Sequence, residues 1–352
     1  MKRIVLTGGG TAGHVTPNIA LLPKLKKAGW DIVYIGSHGG IEKNLIKDHN
    51  IPYYGISSGK LRRYVSMENI KDPFKVVKGL WDAFKILKKL KPHVVFSKGG
   101  YVTVPVVMAA NVLRIPVVIH ESDITPGLAN KIAMRFAKTI CVNFEETLKY
   151  VGKKGVLTGT PIREELFQGN RERAFKLCNF TKDKPTLLVM GGSLGAVKVN
   201  DILRSSLDEL LVRYNIIHIC GKGNMEESVA HREGYSQFEY VTKELPDLFA
   251  AADIILSRAG ANAISEIMAL NIPSLLIPLS QSVSRGDQIL NAQSMQKKGY
   301  CKMIEEELLT KEILIKELNY IYENRQEYKR HISKATKISG IDKILNILNM
   351  YD

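Results

Sequence analysis

The fold class is decided by residues 3–21, RIVLTGGGTAGHVTPNIAL, in which a short apolar run leads through a glycine-rich turn into a helical pattern. The second half of the chain repeats this order at residues 186–203, TLLVMGGSLGAVKVNDIL. A strand followed by a tight glycine turn and a helix opens a parallel βαβ unit. Two such openings in one chain predict two domains of the same construction.

Short apolar runs continue to alternate with helical patterns on both sides of these segments. The first half contains DIVYIG, HVVFSK, PVVIHE and KTICVN, and the second contains NIIHIC, FEYVT, DIILSR and PSLLIP. The alternation predicts an α/β protein with two doubly wound, Rossmann-like parallel sheets. We expect domains at residues 1–162 and 163–340, and a C-terminal helix at 341–352 that packs on the outside, with a return to the first domain left open. Since ligands bind beyond the carboxyl ends of parallel strands, we expect the two domains to face a cleft.

The charge is distributed unevenly over the 352 residues, which carry a formal net charge of +15. Residues 1–162 hold 25 Lys and Arg against 10 Asp and Glu, whereas residues 163–352 hold 25 of each. This one-sided excess predicts a polyanionic partner for the first half, and an anionic membrane surface fits as well as a nucleic acid does.

The overall composition, with 45% apolar and 24% charged residues, is that of a globular protein and excludes disordered and membrane-spanning classes. The four cysteines are widely scattered, so neither a disulfide framework nor a metal site is expected. The N-terminus has no signal peptide pattern and no run of about 18 apolar residues occurs. These observations predict a cytoplasmic location.

Residues 60–98 are rich in lysine and end at Lys98, with apolar residues interleaved at helical spacing. An apolar helix face bordered by lysines is typical of a helix that lies in a membrane interface. The other interpretation is that this face packs on the sheet, and both can hold if only part of it is buried. The residues expected to contact the membrane are Phe74, Lys75, Lys78, Trp81, Phe84 and Lys85.

The first glycine turn contains Gly8, Gly10 and Gly13, which match a dinucleotide-binding fingerprint. That site needs an acidic residue at the end of the second strand, where this chain has Ser37 and His38. The turn is therefore interpreted as a loop that receives another anion at a helix N-terminus. His14 lies at its mouth, either as a base that works near neutral pH or as a residue that only packs on the first helical turn.

The second half contains a similar glycine-rich turn with Gly191, Gly192, Ser193 and Gly195, whose backbone can approach a phosphate. Further along, Arg258 precedes another glycine turn and a helix that carries Glu266, a carboxylate suited to ribose hydroxyls. Glu266 has the alternative interpretation of a solvated helix face. A polar segment, RGDQILNA at residues 285–292, suits sugar hydroxyls.

Six segments in this order resemble the MurG family of glycosyltransferases, which belongs to glycosyltransferase family 28 and has the GT-B fold. They are GGTAGHVTPNIAL at 9–21, SKGGYVTVPVVMAA at 97–110, HESDITPGLANKIA at 120–133, GTPIRE at 159–164, GGSLGAVKVN at 191–200 and SRAGANAISEI at 257–267. The resemblance implies inverting transfer of N-acetylglucosamine from UDP-N-acetylglucosamine to the 4-hydroxyl of undecaprenyl-diphospho-N-acetylmuramoyl-pentapeptide (lipid I). This reaction of peptidoglycan synthesis takes place at the cytoplasmic face of the cell membrane and implies no cofactor. No Asp-x-Asp pair stands at the end of a strand, so the sequence requires no metal, and metal dependence stays open.

The resemblance also implies roles for individual residues. His14 corresponds to the base and Glu121 to a residue that supports it. The residues expected to bind the donor are Thr11, Ala12, Gly13, Arg163, Ser193, Leu245, Arg258, Gly260, Ala261, Asn262, Glu266, Asp287 and Gln288. The residues expected to bind the acceptor are Gly9, Gly10, Gly99, Gly100, Tyr101, His120 and Asn130. Which of Asp287 and Gln288 holds the sugar stays open, and Ser122-Asp123 stands where the family more often has Gln-Asn.

Three other functions are weighed against this one. A transferase that glycosylates diacylglycerol would share the fold and the membrane, but residues 120–133 match the MurG family. A UDP-N-acetylglucosamine 2-epimerase would share the fold and the nucleotide without needing a basic amphipathic surface. A nucleic-acid binder would present basic and aromatic residues on a sheet face, whereas here they follow helical spacing.

Overall fold

The computed structural model describes residues 2–59, 68–192, 195–335 and 340–351, and only the backbone of 68–74. The chain divides into two compact units, residues 1–163 with 338–352 and residues 164–337. Each unit is built around one parallel sheet with helices on its faces.

The sheet of the first unit has seven strands within the described residues, in the order β3-β2-β1-β4-β5-β6-β7. All neighbouring strands are parallel, and in the register Val5 lies beside Val33 on one side and Val95 on the other. The strands are β1 Arg3–Thr7, β2 Asp31–Ser37, β3 Tyr53–Ile56, β4 Val94–Ser97, β5 Val117–Glu121, β6 Thr139–Val142 and β7 Gly155–Leu157.

Helices cover both faces of this sheet, because its central strands are apolar on both sides. Leu21 and Leu25 pack on one face, and Ala83, Leu87 and Val106 pack on the other. The helices are α1 Thr16–Lys27, α2 Ile41–Lys47, α3 Glu68–Leu90, α4 Thr103–Val112, α5 Leu128–Ala133 and α6 Leu148–Val151.

The second unit contains a parallel sheet of six strands in its described residues, in the order β10-β9-β8-β11-β12-β13. The strands are β8 Thr186–Met190, β9 Asn215–Ile219, β10 Tyr235–Phe238, β11 Ile254–Ser257, β12 Ser274–Leu276 and β13 Cys301–Met303. The helices are α7 Arg171–Cys178, α8 Val197–Ser205, α9 Leu207–Arg213, α10 Leu245–Ala251, α11 Ala261–Ala269, α12 Asp287–Lys297, α13 Lys311–Glu323 and α14 Arg325–Lys334.

The prediction of two doubly wound parallel sheets is confirmed, and one strand position is wrong. The run FEYVT predicts a strand over 238–242, whereas β10 is Tyr235–Phe238. Phe238 pairs with Ile219, the last residue of β9, so the chain beyond Phe238 has no strand to pair with. The edge strands β3, β7 and β13 were not predicted, because they are short and lack a continuous apolar run.

In each sheet the chain first adds two strands on one side of its first strand and then returns to add the remaining strands on the other side. The order of the strands therefore reverses at one point. In the first unit this point lies between β1 and β4, and in the second it lies between β8 and β11. Ligands of open α/β sheets bind at such a switch point, beyond the carboxyl ends of the two strands. The two glycine turns of the sequence, residues 8–13 and 191–195, follow β1 and β8 and so lie at these points.

The C-terminal helix, α15 Gly340–Leu348, belongs to the first unit. Its buried Ile341, Ile344, Ile347 and Leu348 join the apolar cluster beneath α1. Lys24 on α1 lies 3.0 Å from Asp342, from Nζ to Oδ1. The tail therefore completes the packing on one face of the first sheet.

We expect Ile344→Ala to lower the free energy of unfolding of the first unit by about 2–5 kcal/mol, because it leaves a cavity in a closed core. Ile344 is fully buried, whereas Met350, which follows the same helix, is 76% exposed. Urea unfolding of both variants followed by tryptophan fluorescence tests this, with Met350→Ala as the control. Equal stabilities for the two variants would show that the tail contributes no core packing.

Candidate functional site

Two glycine loops interlock at the switch point of the first sheet. The loop after β1 and the loop after β4 are joined by a hydrogen bond from the amide of Gly9 to the carbonyl of Gly99, with 3.3 Å from N to O. Gly100 has φ +92°, and a Cβ at this position would overlap the carbonyl oxygen of Gly9. Because only glycine permits this approach, residues from both motifs are brought to one place.

His14 ends a short 3-10 turn after the first glycine loop, and its imidazole points back at that loop. Its Nδ1 lies 3.0 Å from the carbonyl oxygen of Gly9 and 3.2 Å from Oγ1 of Thr11. A carbonyl can only accept a hydrogen bond, so Nδ1 donates to it, and in the neutral imidazole the lone pair is then on Nε2. Nε2 is therefore the atom of His14 that could take a proton from a substrate.

The amides of Gly9 and Gly10 already have partners within the first unit. Gly9 donates to Gly99, and the amide of Gly10 lies 3.2 Å from Oε2 of Glu42. These two glycines therefore supply close backbone approach rather than free N–H donors for an anion. Glu42 was missed in the sequence analysis, which looked for an acidic residue only at the end of the second strand.

A second group of predicted residues follows β5. The carboxylate of Glu121 accepts hydrogen bonds from the amides of Asp123 and Gly127, at 3.0 and 3.1 Å, and from Nδ2 of Asn130 at 2.9 Å. Burial and the neighbouring charge of Asp123 raise the pKa of Glu121, while the bond from Asn130 opposes this rise. Glu121 thus ties the loop after β5 to the first turn of α5, where the side chain of Asn130 packs beside Gly99.

His120 is fully buried and neutral, because burial and the charge of Lys98 hold the pKa of its imidazole well below the usual value. Its Nε2 donates to the carbonyl of Gly159, 2.9 Å away. A donated proton on Nε2 and a neutral ring leave His120 unable to act as a base from that atom. Its place is therefore beneath the loops, where it ties β5 to the end of the first unit.

Lys98 is a functional candidate that the sequence analysis counted only as part of a basic surface segment. Its side chain is 1% exposed and its Nζ donates to Oγ of Ser122. Burial lowers the pKa of Lys98 to about 8, while the carboxylates of Glu121 and Asp123 act in the opposite direction. The buried ammonium therefore offsets two negative charges at the edge of the sheet where the resemblance locates the acceptor.

The second unit has its own glycine loop, after β8, of which Ser193 lies outside the described residues. Gly195 has φ +77°, and a Cβ there would come within 2.5 Å of the carbonyl oxygen of Cys220. Buried His218 is hydrogen-bonded through Nδ1 to the hydroxyl of Tyr235, at 2.8 Å, and through Nε2 to Oδ1 of Asn200, at 3.0 Å. These bonds join β9, β10 and α8.

Arg258 follows β11 and braces the neighbouring loops. Its guanidinium lies 2.8 Å from Oε1 of Glu306 and 3.3 Å from the carbonyl oxygens of both Ile277 and Pro278. With these partners, Arg258 orients the ends of β11 and β12 rather than presenting a vacant cation. The next residues begin α11, whose N-cap Gly260 makes no side-chain capping hydrogen bond.

The other predicted donor residues of the second unit lie on or beside its helices, and four predicted donor residues lie in the first unit. Half-buried Asn262 and Glu266 are four residues apart and so share one face of α11. Leu245 begins α10, and Ala261 begins α11. Arg163 is the last residue of the first unit before the boundary. Thr11, Ala12 and Gly13 also belong to the first unit.

Asp287 and Gln288 begin α12, and their side chains differ in what they already bind. Oδ2 of Asp287 lies 2.5 Å from the guanidinium of Arg285. Oε1 of Gln288 accepts from the amide of Leu279 at 3.1 Å, which fixes the orientation of its side-chain amide. The side chain of Gln288 is thus held by the backbone of Leu279, whereas that of Asp287 is held by the flexible side chain of Arg285.

The apolar face of α3 is divided between the core and the surface. Ala83 and Leu87 are buried against the helices of the first unit, whereas Val77 is 67% and Trp81 57% exposed. Trp81 stacks on Phe84 with 5.8 Å between ring centroids, and Nζ of Lys85 lies 5.1 Å from the Trp81 ring. The side chain of Phe74 lies outside the described residues.

The exposed edge of this helix, named here the α3 edge, consists of Val77 and Trp81 with the lysines beside them. The exposed lysines are Lys75, Lys78, Lys85, Lys88 and Lys89. None of the described helices combines the length and the apolar composition needed to cross a lipid bilayer.

Comparison with known families assigns the chain. The model of the glycosyltransferase family 28 N-terminal domain matches residues 4–142, and that of the family 28 C-terminal domain matches residues 186–346. The chain therefore belongs to glycosyltransferase family 28, and it is a glycosyltransferase with a GT-B-like fold.

Within the family, the chain is similar over its whole length to curated relatives that share one name, UDP-N-acetylglucosamine–N-acetylmuramyl-(pentapeptide) pyrophosphoryl-undecaprenol N-acetylglucosamine transferase. The protein of Clostridium tetani is 56% identical and covers 99% of this chain and 98% of its own length. The protein of Lachnospira eligens is 58% identical, with 99% of each chain covered. The resemblance inferred from the six sequence segments is confirmed.

Solved structures agree with this assignment. The crystal structure of MurG from Acinetobacter baumannii is 27% identical, with a TM-score of 0.78 over 99% of this chain and 100% of that one. A UDP-N-acetylglucosamine 2-epimerase from Neisseria meningitidis has a TM-score of 0.71 at 13% identity, over 99% of this chain and 100% of that one. The second likeness shows a shared fold alone.

We expect Lys98→Met to lower the free energy of unfolding by about 3–5 kcal/mol, because removing one partner of a buried charge cluster leaves the other charges uncompensated. Methionine keeps the unbranched shape of the side chain. Adding Asp123→Asn should restore part of this stability, since it removes one of the two carboxylates. Urea unfolding of the single and double variants measures the coupling.

The matched control is Lys149→Met, because Lys149 is an exposed lysine of the same unit. If Lys98→Met is no more destabilising than this control, Lys98 does not compensate the carboxylates of Glu121 and Asp123.

Proposed function

We propose that this chain transfers N-acetylglucosamine from UDP-N-acetylglucosamine to the 4-hydroxyl of lipid I, with inversion at the anomeric carbon. The observation that carries the proposal is 56–58% identity over the whole chain to relatives named for this transfer. The glycine loops at both switch points support it, because donor and acceptor each bear a diphosphate that must approach backbone closely.

In the proposed reaction, Nε2 of His14 takes the proton of the acceptor hydroxyl while the hydroxyl oxygen bonds to the anomeric carbon. The bond from that carbon to the diphosphate oxygen breaks, and UDP leaves with the electron pair. Attack from the face opposite the leaving group inverts the configuration. The contact between Nδ1 and the carbonyl of Gly9 supports this role, because it leaves the lone pair on Nε2.

We propose that the leaving diphosphate is stabilised by the N-terminus of α11, whose N-cap residue, Gly260, has no side chain. Arg258 would contribute by holding the preceding loop, as its contacts to Glu306 and two carbonyls suggest. The carboxylate of Glu266 would accept hydrogen bonds from the ribose, and Ser193 and Arg163 would contact the nucleotide, as the family pattern implies.

For the sugar we favour Gln288 over Asp287. The bond from the amide of Leu279 anchors Oε1 of Gln288, so its Nε2 is pre-oriented as a donor to a sugar hydroxyl. Asp287 would then act by holding Arg285. On the acceptor side, Tyr101 and the loop of Gly99 and Gly100 would contact lipid I, with Glu121 and Asn130 supporting that loop.

We further propose that the α3 edge docks on the anionic inner leaflet, so that the enzyme works at the cytoplasmic face of the cell membrane. Two apolar side chains exposed beside five lysines support this arrangement. Lysines attract anionic headgroups, and an exposed tryptophan inserts into the interface.

We expect His14→Ala to lower kcat by about 10²- to 10⁴-fold, the usual contribution of a general base, and to leave the affinity for UDP unchanged. The assay follows transfer from radiolabelled UDP-N-acetylglucosamine to a short-chain lipid I analogue, and calorimetry measures UDP binding.

Parallel reactions with diacylglycerol and without acceptor separate the rival functions. Transfer to diacylglycerol, or epimerisation of the donor, in place of transfer to the lipid I analogue would overturn the proposed function. A fall in kcat of less than tenfold would remove His14 as the base and leave the transfer itself intact.

We expect the chain to bind vesicles of anionic lipid and not zwitterionic vesicles, and to be released by roughly half-molar salt, which shortens the Debye length well below 8 Å. Trp81→Ala should weaken binding, as should the combined change of Lys75, Lys78 and Lys85 to Glu. Vesicle flotation measures binding, and activity on the soluble acceptor analogue should survive both changes.

The matched control changes three exposed lysines of the second unit, Lys176, Lys222 and Lys243, to Glu, which alters the net charge by the same amount. Docking through the α3 edge is contradicted if both triple variants float equally well, or if the parent chain binds neutral lipid equally.

A further inference from the structure

Glu42 is a completely buried carboxylate on the first turn of α2. It lies close to the candidate base His14 but outside the six segments that resemble the family. Among the described residues it forms no ion pair, and its bonds come from neutral donors. Oε1 accepts from the amide of Ser37 at 2.9 Å and from its hydroxyl at 2.5 Å, and Oε2 accepts from the amide of Gly10 at 3.2 Å. A buried charge is retained only where such bonds replace its hydration.

Three glycines leave the room that this carboxyl group occupies. A Cβ on Gly9 would lie 2.6 Å from Cδ of Glu42, and one on Gly36 would lie 2.8 Å from its Cγ. A Cβ on Gly40 would overlap both carboxylate oxygens. The glycine loop, the end of β2 and the start of α2 are thus shaped around one side chain.

The peptide group between Gly9 and Gly10 connects this carboxylate to His14. Its N–H, on Gly10, donates to Glu42, and its C=O, on Gly9, accepts from Nδ1 of His14. In a trans peptide these two groups point in opposite directions, so the same unit is held from both sides. With glycine on each side and φ +87° at Gly10, this peptide would otherwise rotate readily.

The hydrogen bond from the amide of Gly10 to the carboxylate of Glu42 also polarises the peptide group. A peptide whose N–H is bonded to a carboxylate has a more negative carbonyl oxygen, because hydrogen bonds in a chain strengthen one another. The carbonyl of Gly9 therefore becomes a stronger acceptor for the Nδ1 proton of His14.

We propose that Glu42 is a positioning residue for the transfer reaction: through the Gly9–Gly10 peptide it holds His14 as the Nδ1–H tautomer, with Nε2 facing the acceptor hydroxyl. This inference rests on the proposed function, since it assigns Glu42 a role through the proposed base. It is separate from any contact of Glu42 with substrate, because the carboxylate is buried beneath the loop.

Glu42→Gln tests the proposal with almost no change in volume. Glutamine has one acceptor oxygen and one NH2 group, so it cannot accept from both Gly10 and Ser37. We expect kcat to fall by about 10- to 100-fold, a part of the contribution of a general base, with UDP affinity unchanged by calorimetry. Glu145→Gln, an exposed glutamate of the same unit, is the matched control.

The decisive readout is the tautomer of His14, seen in the 15N spectrum of protein labelled at histidine and assigned by the signal lost in His14→Gln. The parent should show a protonated Nδ1 and an unprotonated Nε2. In Glu42→Gln the two nitrogen shifts should move toward each other, as the fixed tautomer is lost. A purely structural role for Glu42 would change stability and leave these shifts alone.

The proposal is overturned if the tautomer in Glu42→Gln equals that of the parent, whatever the activity. If this variant does not fold, Glu42→Asp replaces it, because its shorter carboxylate keeps the charge and withdraws from the amide of Gly10. The same loss of the fixed tautomer is expected there. Should the parent show no transfer to lipid I, the proposed function fails, and the tautomer still decides the role of Glu42.

Discussion

The approach of Gly100 to the carbonyl of Gly9 is the constraint on which the first unit depends. After β2 and β3 the chain crosses back over the sheet, so that β4 lies beside β1. The loops that follow β1 and β4 must then share one small space. Only residues without a Cβ permit this, and the same carbonyl also accepts the bond from His14. Strand order, loop composition and the orientation of the imidazole are therefore parts of one arrangement.

Buried charges surround this arrangement, and each is satisfied differently. Glu42 is held by amides and a hydroxyl, whereas Lys98 lies near two carboxylates and donates to a serine. Glu121 accepts three hydrogen bonds from its own loop. Such groups are costly to bury, so their bonds specify the loop conformation closely.

The alternation of apolar runs and glycine turns was sufficient to predict two parallel sheets and the place of His14 after β1, but not the edge strands β3, β7 and β13. Contacts that depend on which strands are neighbours were out of reach. Glu42 follows β2 by five residues, and it meets Gly10 only because β2 lies beside β1. Lys98 was counted with the basic segment 60–98, although its side chain is buried, and the contact of Arg258 with Glu306, 48 residues later, was not predicted. Local pattern therefore predicts the loops, and sheet order determines their partners.

The position of the C-terminal helix bears on how the chain folds as it is synthesised. Residues 164–337 form a continuous unit, whereas the first unit is discontinuous and lacks α15 until residues 340–348 are made. Until then the apolar surface of α1 that Ile344 covers faces solvent or a chaperone. The first unit therefore begins before the second on the ribosome and is completed after it. A chain truncated before α15 contains a complete second unit and an incomplete first unit, whose apolar surface on α1 stays uncovered.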